Sequence, residues 1–369
     1  MDKNFLAAVS TVVGTLVGGG ILALPYAMSK SGFFYGLLML FIVAIASILI
    51  TLYTAELSLR AKKMHQLPIL IGDSLGKRFR IFVLILQVVT ILGALIAYFI
   101  GLSSAISILF GIPYYLSLFI LFVLSFPLVL KGFDIVEKSE TPLFFVKVLI
   151  LIIASVVVLH YFNFSNIMSS NLLQIFSPFG VILFSLTAYT VIPEVKQEVA
   201  GNVGKLVKVI LVSFIISILI YLLFSLSFLG AFGAKVSQIA TNYIASGYLK
   251  VLLLLTTIFM LITPLLALGL VMADTFYYDF KVNRWISTVI AVLIPAVIAT
   301  FNIGFESVVD IIGGVFLSLL SLSVIFAVYV SRKKEGISRT YSVFGGNYTL
   351  LFTGIIMVLG LVYTILNVI

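Results

Sequence analysis

Apolar residues dominate this chain in long runs. Stretches of about 20 such residues recur from end to end, separated by short segments with charges, glycine and proline. A helix of about 20 residues crosses a bilayer core of roughly 30 Å. Lipid offers the backbone no hydrogen-bond partner, and continuous apolar runs favour helices over the alternating pattern of a barrel. The pattern predicts an all-α integral membrane protein of about 11 transmembrane helices, at approximately 5–28, 33–59, 81–110, 114–130, 142–161, 174–194, 206–232, 249–278, 285–301, 305–331 and 348–367.

Composition supports a membrane protein. Of the 369 residues, 62% are hydrophobic and 9% are charged, which is more apolar surface than a soluble protein of this size would shield from water. The short connections leave no separately folding soluble domain, so we predict one transmembrane domain over 1–369, with membrane lipid around it. The chain has no cysteine and two histidines, so disulfides and thiol catalysis are excluded, and neither a metal site nor another cofactor is expected.

Basic residues are distributed unevenly over the predicted connections. With the N-terminus inside, 18 of the 22 lysines and arginines fall on the cytoplasmic side, three fall outside, and Lys147 lies within the fifth span. Cytoplasmic loops of membrane proteins carry such an excess. The net charge of +9 therefore reflects topology and does not indicate a nucleic-acid partner. We predict a multi-pass protein of the plasma membrane, with a cytoplasmic N-terminus and an extracellular C-terminus.

The first span contains a sequence that weakens a helix. Val17 is followed by Gly18, Gly19 and Gly20, and Pro25 comes five residues later. Each glycine lowers helix stability by about 1 kcal/mol, and proline removes an amide donor. The pattern predicts an unwound stretch near mid-membrane, where free amides bind a carboxylate and free carbonyls bind an ammonium group or Na⁺. The alternative is close helix packing through small residues, or a simple kink.

The sixth span contains a second candidate break. The run Phe184–Glu194 includes Ser185, Thr187 and Thr190, whose hydroxyls would cover freed backbone groups, and it has Pro193 near its end. The first and sixth spans are then equivalent members of two five-span halves with reversed orientation, which is typical of an inverted repeat. Coincidence of two prolines is the alternative. The predicted units are repeat one at about 5–161, repeat two at about 174–331, and an extra helix at about 348–367.

Several segments resemble one family. Val12 to Pro25 reads V-x-G-T-x-x-G-x-G-x-L-A-x-P, and Asp134 to Lys147, Ala97-Tyr98 and Thr263 to Gly269 add weaker likenesses. These segments are similar to amino acid permeases of the APC superfamily, nearest the tryptophan/tyrosine permease and amino acid/auxin permease branch. The resemblance implies a leucine-transporter-type fold, with a 5+5 inverted repeat, broken helices 1 and 6, and alternating access.

The resemblance also implies where a substrate would bind. Its amine and carboxylate would meet the broken helices at Val17, Gly18, Gly19 and Gly20. The pocket walls would be Tyr98, Phe184, Ser185, Thr187 and Phe259. The branch commonly has glycine where Thr187 stands, so either the break lies closer to Ser185 or the pocket is smaller.

Two residues are candidates for ion coupling. An ionisable group within a span is a functional hypothesis by default, and by resemblance Lys147 would stand in the place of a sodium ion and couple transport to H⁺ when it loses its proton. A lysine at this depth also reaches the cytoplasmic face by extending its side chain. Thr263 is the candidate ligand if the coupling ion is Na⁺. Other acidic residues near helix ends are expected to form caps and loop pairs: Glu56, Glu194, Asp274 and Asp310.

These observations predict the function. We expect no enzyme, because clustered carboxylates and metal-ligand sets are missing from the sequence. We expect a secondary active transporter operating by H⁺ symport. Its substrate is expected to be a neutral amino acid, apolar or aromatic, because only Lys147 is charged at the predicted pocket depth, and the aromatic preference is what the resemblance implies. The alternatives are a Na⁺-coupled amino acid symporter and a membrane amino acid sensor that does not transport. The sequence does not indicate an oligomeric state.

Overall fold

The computed structural model describes residues 3–61, 65–131, 133–242, 247–301, 303–335 and 341–368, with the side chains of 3, 133–144, 279, 335 and 368 left aside. The regular elements in these ranges are all helices. Ten described helical segments are long and apolar enough to cross a membrane, and the shorter apolar helix Phe145–Leu159 falls at the fifth predicted span. Helices therefore stand at all eleven predicted positions.

The bounds of the helices follow the apolar runs closely at most ends. The largest difference is in the fifth span, where the helix begins at Phe133 and not near residue 142, because a helix continues past its lipid-facing part into polar sequence. The α-helices are α1 Lys3–Leu16, α2 Leu24–Ser31, α3 Phe33–Arg60, α4 Leu67–Leu75, α5 Lys77–Phe110, α6 Tyr114–Lys131, α7 Phe133–Leu159, α8 Phe179–Ser185, α9 Ile192–Glu198, α10 Val203–Phe232, α11 Gly247–Asp274, α12 Arg284–Ile298, α13 Phe305–Ile311, α14 Ser318–Glu335 and α15 Gly346–Val368.

Two spans are interrupted where the sequence predicts breaks. The first consists of α1, a 3₁₀ turn over Gly19–Ala23, and α2. The sixth consists of α8, a 3₁₀ turn over Tyr189–Val191, and α9. The tenth span is also irregular, since a π-helical segment at Ile312–Leu317 joins α13 to α14, which the sequence analysis missed.

A short helix, α4, lies in the connection between the second and third spans. Pro68 occupies its first turn, where a missing amide costs nothing, and the helix ends before Gly76. It was not predicted, because nine residues are too few to register as a span. It packs against α5 and α14.

The half-helices of the interrupted spans pack on each other. On the predicted cytoplasmic side α1 contacts α9, and towards the other side the turn Gly19–Ala23 contacts α8. Long continuous helices surround them, with α10 against α1 and α2, and α11 against α5 and α7. The two breaks therefore face each other inside the bundle.

Glycines allow α8 to cross its neighbours closely. A Cβ atom on Gly313, in the π-helical segment, would overlap the Gly180 carbonyl oxygen of α8. A Cβ on Gly360 of α15 would overlap the ring of Phe179. The last helix, although outside the inverted repeat, thus supports one half of the broken sixth span.

One buried carboxylate joins elements on the predicted cytoplasmic side. Glu56, which is fully buried, accepts hydrogen bonds from Arg60 at 2.9 Å, from Arg332 at 2.5 Å, and from the Val343 amide at 3.0 Å. Asp274 pairs with Arg284 where α11 leads to α12. Both carboxylates lie near helix ends and pair there, as expected.

We predict that Gly313→Ala destabilises the protein by about 1–3 kcal/mol, because the Gly180 carbonyl is backbone and does not rotate away from an added methyl group. Gly354→Ala on α15 is the matched control, since a Cβ there meets no atom within 4 Å. Thermal unfolding of both variants in detergent provides the measurement. Equal melting temperatures for the two variants would contradict this account of the crossing.

Candidate functional site

The first break begins where α1 ends. The Val17 amide still donates to the Val13 carbonyl at 2.7 Å, but the Gly18 amide turns back to the Leu16 carbonyl at 2.8 Å. Gly18 itself is extended, with φ −105° and ψ −161°, so the chain leaves the helical path at this residue. The next three residues are fully enclosed, and their backbone groups lie in the interior of the bundle.

The second break begins after Ser185. The Ser185 hydroxyl donates to the Val181 carbonyl at 2.8 Å, and the Thr187 hydroxyl donates to the Leu183 carbonyl at 2.7 Å. The Thr187 hydroxyl satisfies a carbonyl whose helical amide partner is lost where α8 stops, and the Ser185 hydroxyl adds a bond to a carbonyl within the helix. Because α8 ends two residues before Thr187, the break lies next to Ser185.

The glycines of the first break are in contact with several predicted wall residues. A Cβ on Gly19 would lie 2.7 Å from Cε1 of Tyr98 and would overlap Leu261. A Cβ on Gly20 would lie 2.5 Å from Oγ of Ser185 and 2.7 Å from Cδ1 of Phe184. Gly20 therefore lies where the two breaks approach each other, and Gly19 lies where the first break packs against α5 and α11.

The eighth span contributes a residue that was not predicted, Leu261. Phe259 lies half-buried on α11, whereas the α11 residue that touches Gly19 is Leu261. Leu261 also lies against Gly101 of α5. Nothing in the sequence distinguishes Leu261 from its neighbouring leucines, so no signal could have found it.

Lys147 reaches the first broken helix from α7. Its side chain is 7% exposed, and its Nζ donates to the Gly14 carbonyl at 3.1 Å. Gly14 lies in the last turn of α1, directly before the break. The side chain therefore points into the bundle and not to the cytoplasmic surface.

Thr263 carries a buried hydroxyl with no hydrogen-bond partner among the described residues. Thr256, on the same helix, instead bonds the carbonyl four residues before it at 2.8 Å. A buried unsatisfied hydroxyl costs about 1–3 kcal/mol, so this atom is available to a ligand.

A cavity of about 630 Å³ lies on the side of the protein predicted to be external. Phe305, which lines it, also lies against Gly101, and so does Leu261, the side chain that touches Gly19. The lining combines apolar and polar groups, namely Ile100, Ser104, Ile108, Tyr114, Lys235, Ser237, Gln238, Ile239, Asn242, Ile303, Gly304 and Phe305.

An ion pair ties the outer half of the first span to the tenth. Lys30 at the end of α2 binds Glu306 of α13 at 2.8 Å, and the Glu306 side chain is almost fully buried. One turn further along α13, Asp310 lies against Gly180 in the first turn of α8. Helix α13 therefore holds α2 and α8 together.

The opposite side is closed by contacts between the inner half-helices. The Thr11 hydroxyl of α1 donates to Glu198 of α9 at 3.0 Å. Lys196 of α9 donates to the Ser58 carbonyl of α3 at 2.6 Å. The structure thus has a cavity on one side of the breaks and a closed contact between α1 and α9 on the other.

The architecture is that of known transporters. The manganese transporter of Eremococcus coleocola aligns with 98% of this chain and 86% of its own, at a TM-score of 0.67 and 14% identity. The transporter MhsT, solved with L-phenylalanine, aligns with 100% of this chain and 99% of its own, at a TM-score of 0.67 and 13% identity. The fold is the leucine-transporter type with two inverted five-helix halves.

Sequence comparison gives the family. The model of the tryptophan/tyrosine permease family matches residues 1–367, so the chain belongs to that family and is an amino acid permease and not an enzyme. Tyrosine-specific transport system 1 of Haemophilus influenzae is 26% identical, covering 96% of this chain and 94% of its own. Glutamine transporter 2 of Aliivibrio fischeri is 21% identical, covering 91% of each chain.

We predict that Gly20→Ala lowers amino acid uptake into proteoliposomes by at least about tenfold, because the added methyl would press on the Ser185 backbone as well as on its side chain. Gly204→Ala, in the exposed first turn of α10, is the matched control, since its Cβ meets only Asn202 at 3.6 Å. If Gly20→Ala took up amino acid as fast as Gly204→Ala, the space between the two breaks would accommodate a methyl group, and the prediction would be wrong.

Proposed function

We propose that this permease is a secondary active transporter that carries a neutral amino acid across the plasma membrane by alternating access, in symport with H⁺. The observation that carries the proposal is the hydrogen bond from Lys147 to Gly14, because it joins a titratable group of α7 to α1, the helix that would have to move. The proposed orientation has the N-terminus in the cytoplasm and the C-terminus outside. It rests on the excess of basic residues in alternate connections.

The contacts of the break favour a substrate with an uncharged side chain. The side chains that touch Gly19 and Gly20 are Tyr98, Leu261, Phe184 and Ser185, and none of them ionises at neutral pH. A charged substrate side chain here would be desolvated without a partner, which is strongly unfavourable. Tyrosine and glutamine, named for two relatives, and phenylalanine, bound to MhsT, are all neutral.

The backbone of the breaks would bind the amino acid's own charges. Amides freed at Gly18–Gly20 suit the carboxylate, and carbonyls at the ends of α1 and α8 suit the ammonium group. The hydroxyl groups of Ser185 and Thr187 already donate their hydrogens to α8 carbonyls, so their oxygens have lone pairs free to accept from the ammonium group. Tyr98 and Phe184 supply aromatic walls for the side chain.

Lys147 would couple transport to protons through α1. A protonated amine donates to the Gly14 carbonyl and holds α1 against α7. Loss of the proton removes the charge that strengthens this bond, so α1 is held less tightly. Proton binding and release would then alternate with closing and opening of the α1–α9 contact.

Sodium coupling is the second candidate, and one observation favours it. The buried Thr263 hydroxyl has no hydrogen-bond partner in the described ranges, and hydroxyl and carbonyl oxygens suit a hard cation such as Na⁺. A protonated Lys147 and a sodium ion would repel each other in one small site. Because Lys147 is already hydrogen-bonded to the Gly14 carbonyl, this repulsion favours H⁺ over Na⁺ as the coupling ion. A non-transporting sensor has less support, since the family is one of permeases.

We predict that purified protein in liposomes accumulates labelled L-tyrosine or L-glutamine when the outside is made acidic, and that Lys147→Ala loses this accumulation. The variant removes the titratable group while the rest of the break stays intact. Lys208→Ala, an exposed lysine on α10, controls for the loss of a positive charge and is expected to behave like the parent.

The same vesicles with an imposed Na⁺ gradient test the alternative. Accumulation driven by Na⁺ alone, and abolished by Thr263→Val, would replace proton coupling by sodium coupling. Binding of either amino acid without uptake under any gradient would favour the sensor.

We further predict that Leu261→Ala shifts selectivity towards larger side chains. Removing three carbons beside Gly19 enlarges the site, and differences of about 1–3 kcal/mol per methylene correspond to about 10- to 200-fold in specificity. Competition of L-tryptophan and L-alanine against labelled substrate measures the shift. Leu255→Ala, on the lipid-exposed face of the same helix, is the matched control. An unchanged ratio would place the substrate side chain away from Leu261.

A further inference from the structure

Tyr221, near the middle of α10, contacts both breaks at once. Its side chain is fully buried, and its hydroxyl oxygen lies 2.5 Å from the Leu16 carbonyl oxygen and 2.8 Å from the Ser185 carbonyl oxygen. Leu16 is the last residue of α1, and Ser185 is the last residue of α8. One side chain thus joins the ends of two half-helices that belong to opposite repeats.

The chemistry of this contact makes it sensitive to position. A hydroxyl has a single hydrogen, so Tyr221 donates to one of the two carbonyls at a time while the other remains within reach. The hydroxyl is carried by α10, which runs without interruption over 30 residues and packs against α1 and α2. The two carbonyls are therefore held at a fixed spacing only while both remain next to the same point on α10.

We propose that Tyr221 is a positioning residue that holds the ends of α1 and α8 together and thereby favours the conformation in which α1 contacts α9. This inference rests on the alternating access of the proposed function. When α1 leaves α9 to open the cytoplasmic side, the Leu16 carbonyl moves away from α10, and the hydroxyl keeps only Ser185. Each opening event therefore takes away one of the two acceptors of this buried hydroxyl, the one at the shorter distance.

The absence of cysteine from the chain gives a direct test with single-cysteine reporters. Ala8→Cys reports on the cytoplasmic side, because Ala8 is fully buried on α1 and becomes reachable only when α1 moves. Ile108→Cys reports on the opposite side, because Ile108 lines the cavity. The rate of reaction of each with a maleimide, in detergent and without substrate, is measured with and without Tyr221→Phe.

We expect Tyr221→Phe to speed labelling of Ala8→Cys by about tenfold and to slow labelling of Ile108→Cys. A tenfold change corresponds to about 1.4 kcal/mol, within the range for one buried hydrogen bond. Tyr53→Phe is the control, since Tyr53 is a fully buried tyrosine whose ring lies 5.7 Å from the Arg332 guanidinium, away from the breaks. It should leave both rates unchanged.

Opposite changes at the two reporters distinguish a positioning role from general loosening. If both reporters react faster, or if neither rate changes, the proposal is wrong.

A ring-fluorinated tyrosine at position 221 gives a second test should Tyr221→Phe fold poorly. Its more acidic hydroxyl is a stronger donor, so Ala8→Cys should react more slowly, and an unchanged rate would overturn the proposal. Because no substrate is used, these outcomes are independent of whether proton-driven uptake is observed.

Discussion

Lipid hydrocarbon offers no hydrogen-bond partner to a peptide group, and this constraint governs how the interrupted spans are built. Each break frees carbonyl groups within a membrane-spanning segment. At the first break, Gly14 and Leu16 are met by Lys147 and Tyr221. At the second, hydroxyls of Ser185 and Thr187 cover carbonyls of α8. The breaks persist because donors from the same chain surround them.

The same constraint explains the close packing at the breaks. Side-chain donors reach freed carbonyls only if neighbouring helices approach closely. Gly20 allows the second break to approach the first, and Gly19 allows α5 and α11 to do so. Gly180 and Gly313 have an equivalent role where α8 crosses the tenth span. The outer half-helices are tied together through α13 by Glu306 and Asp310, whereas the inner pair α1 and α9 is joined directly, as by the bond of Thr11 to Glu198. The inner and outer ends are therefore held in different ways.

The parts of this fold that depend on neighbouring residues in the sequence were predictable. Apolar runs gave the spans, and three adjacent glycines with a following proline gave the first break, because each effect acts within one helix. The resemblance to permeases predicted Tyr98, Phe184 and Ser185 as pocket walls beside the glycines, and these three residues do contact Gly19 or Gly20. Pairings between distant residues were not predictable. Tyr221 and Leu16 are 205 residues apart, and Lys30 and Glu306 are 276 apart, and nothing local marks either partner.

The end of α1 is held from two sides by donors of different kinds. Lys147 on α7 is titratable, whereas the tyrosine hydroxyl on α10 keeps its proton at physiological pH. One buried hydrogen bond contributes about 0.5–1.5 kcal/mol net, which is too little to lock a helix and enough to shift a two-state equilibrium several-fold. A constant donor sets a baseline preference for the closed contact with α9, and the titratable donor would add to it or subtract from it. Loss of one proton would then shift the balance towards release of α1, because one of the two donors would no longer carry the charge that strengthens its hydrogen bond.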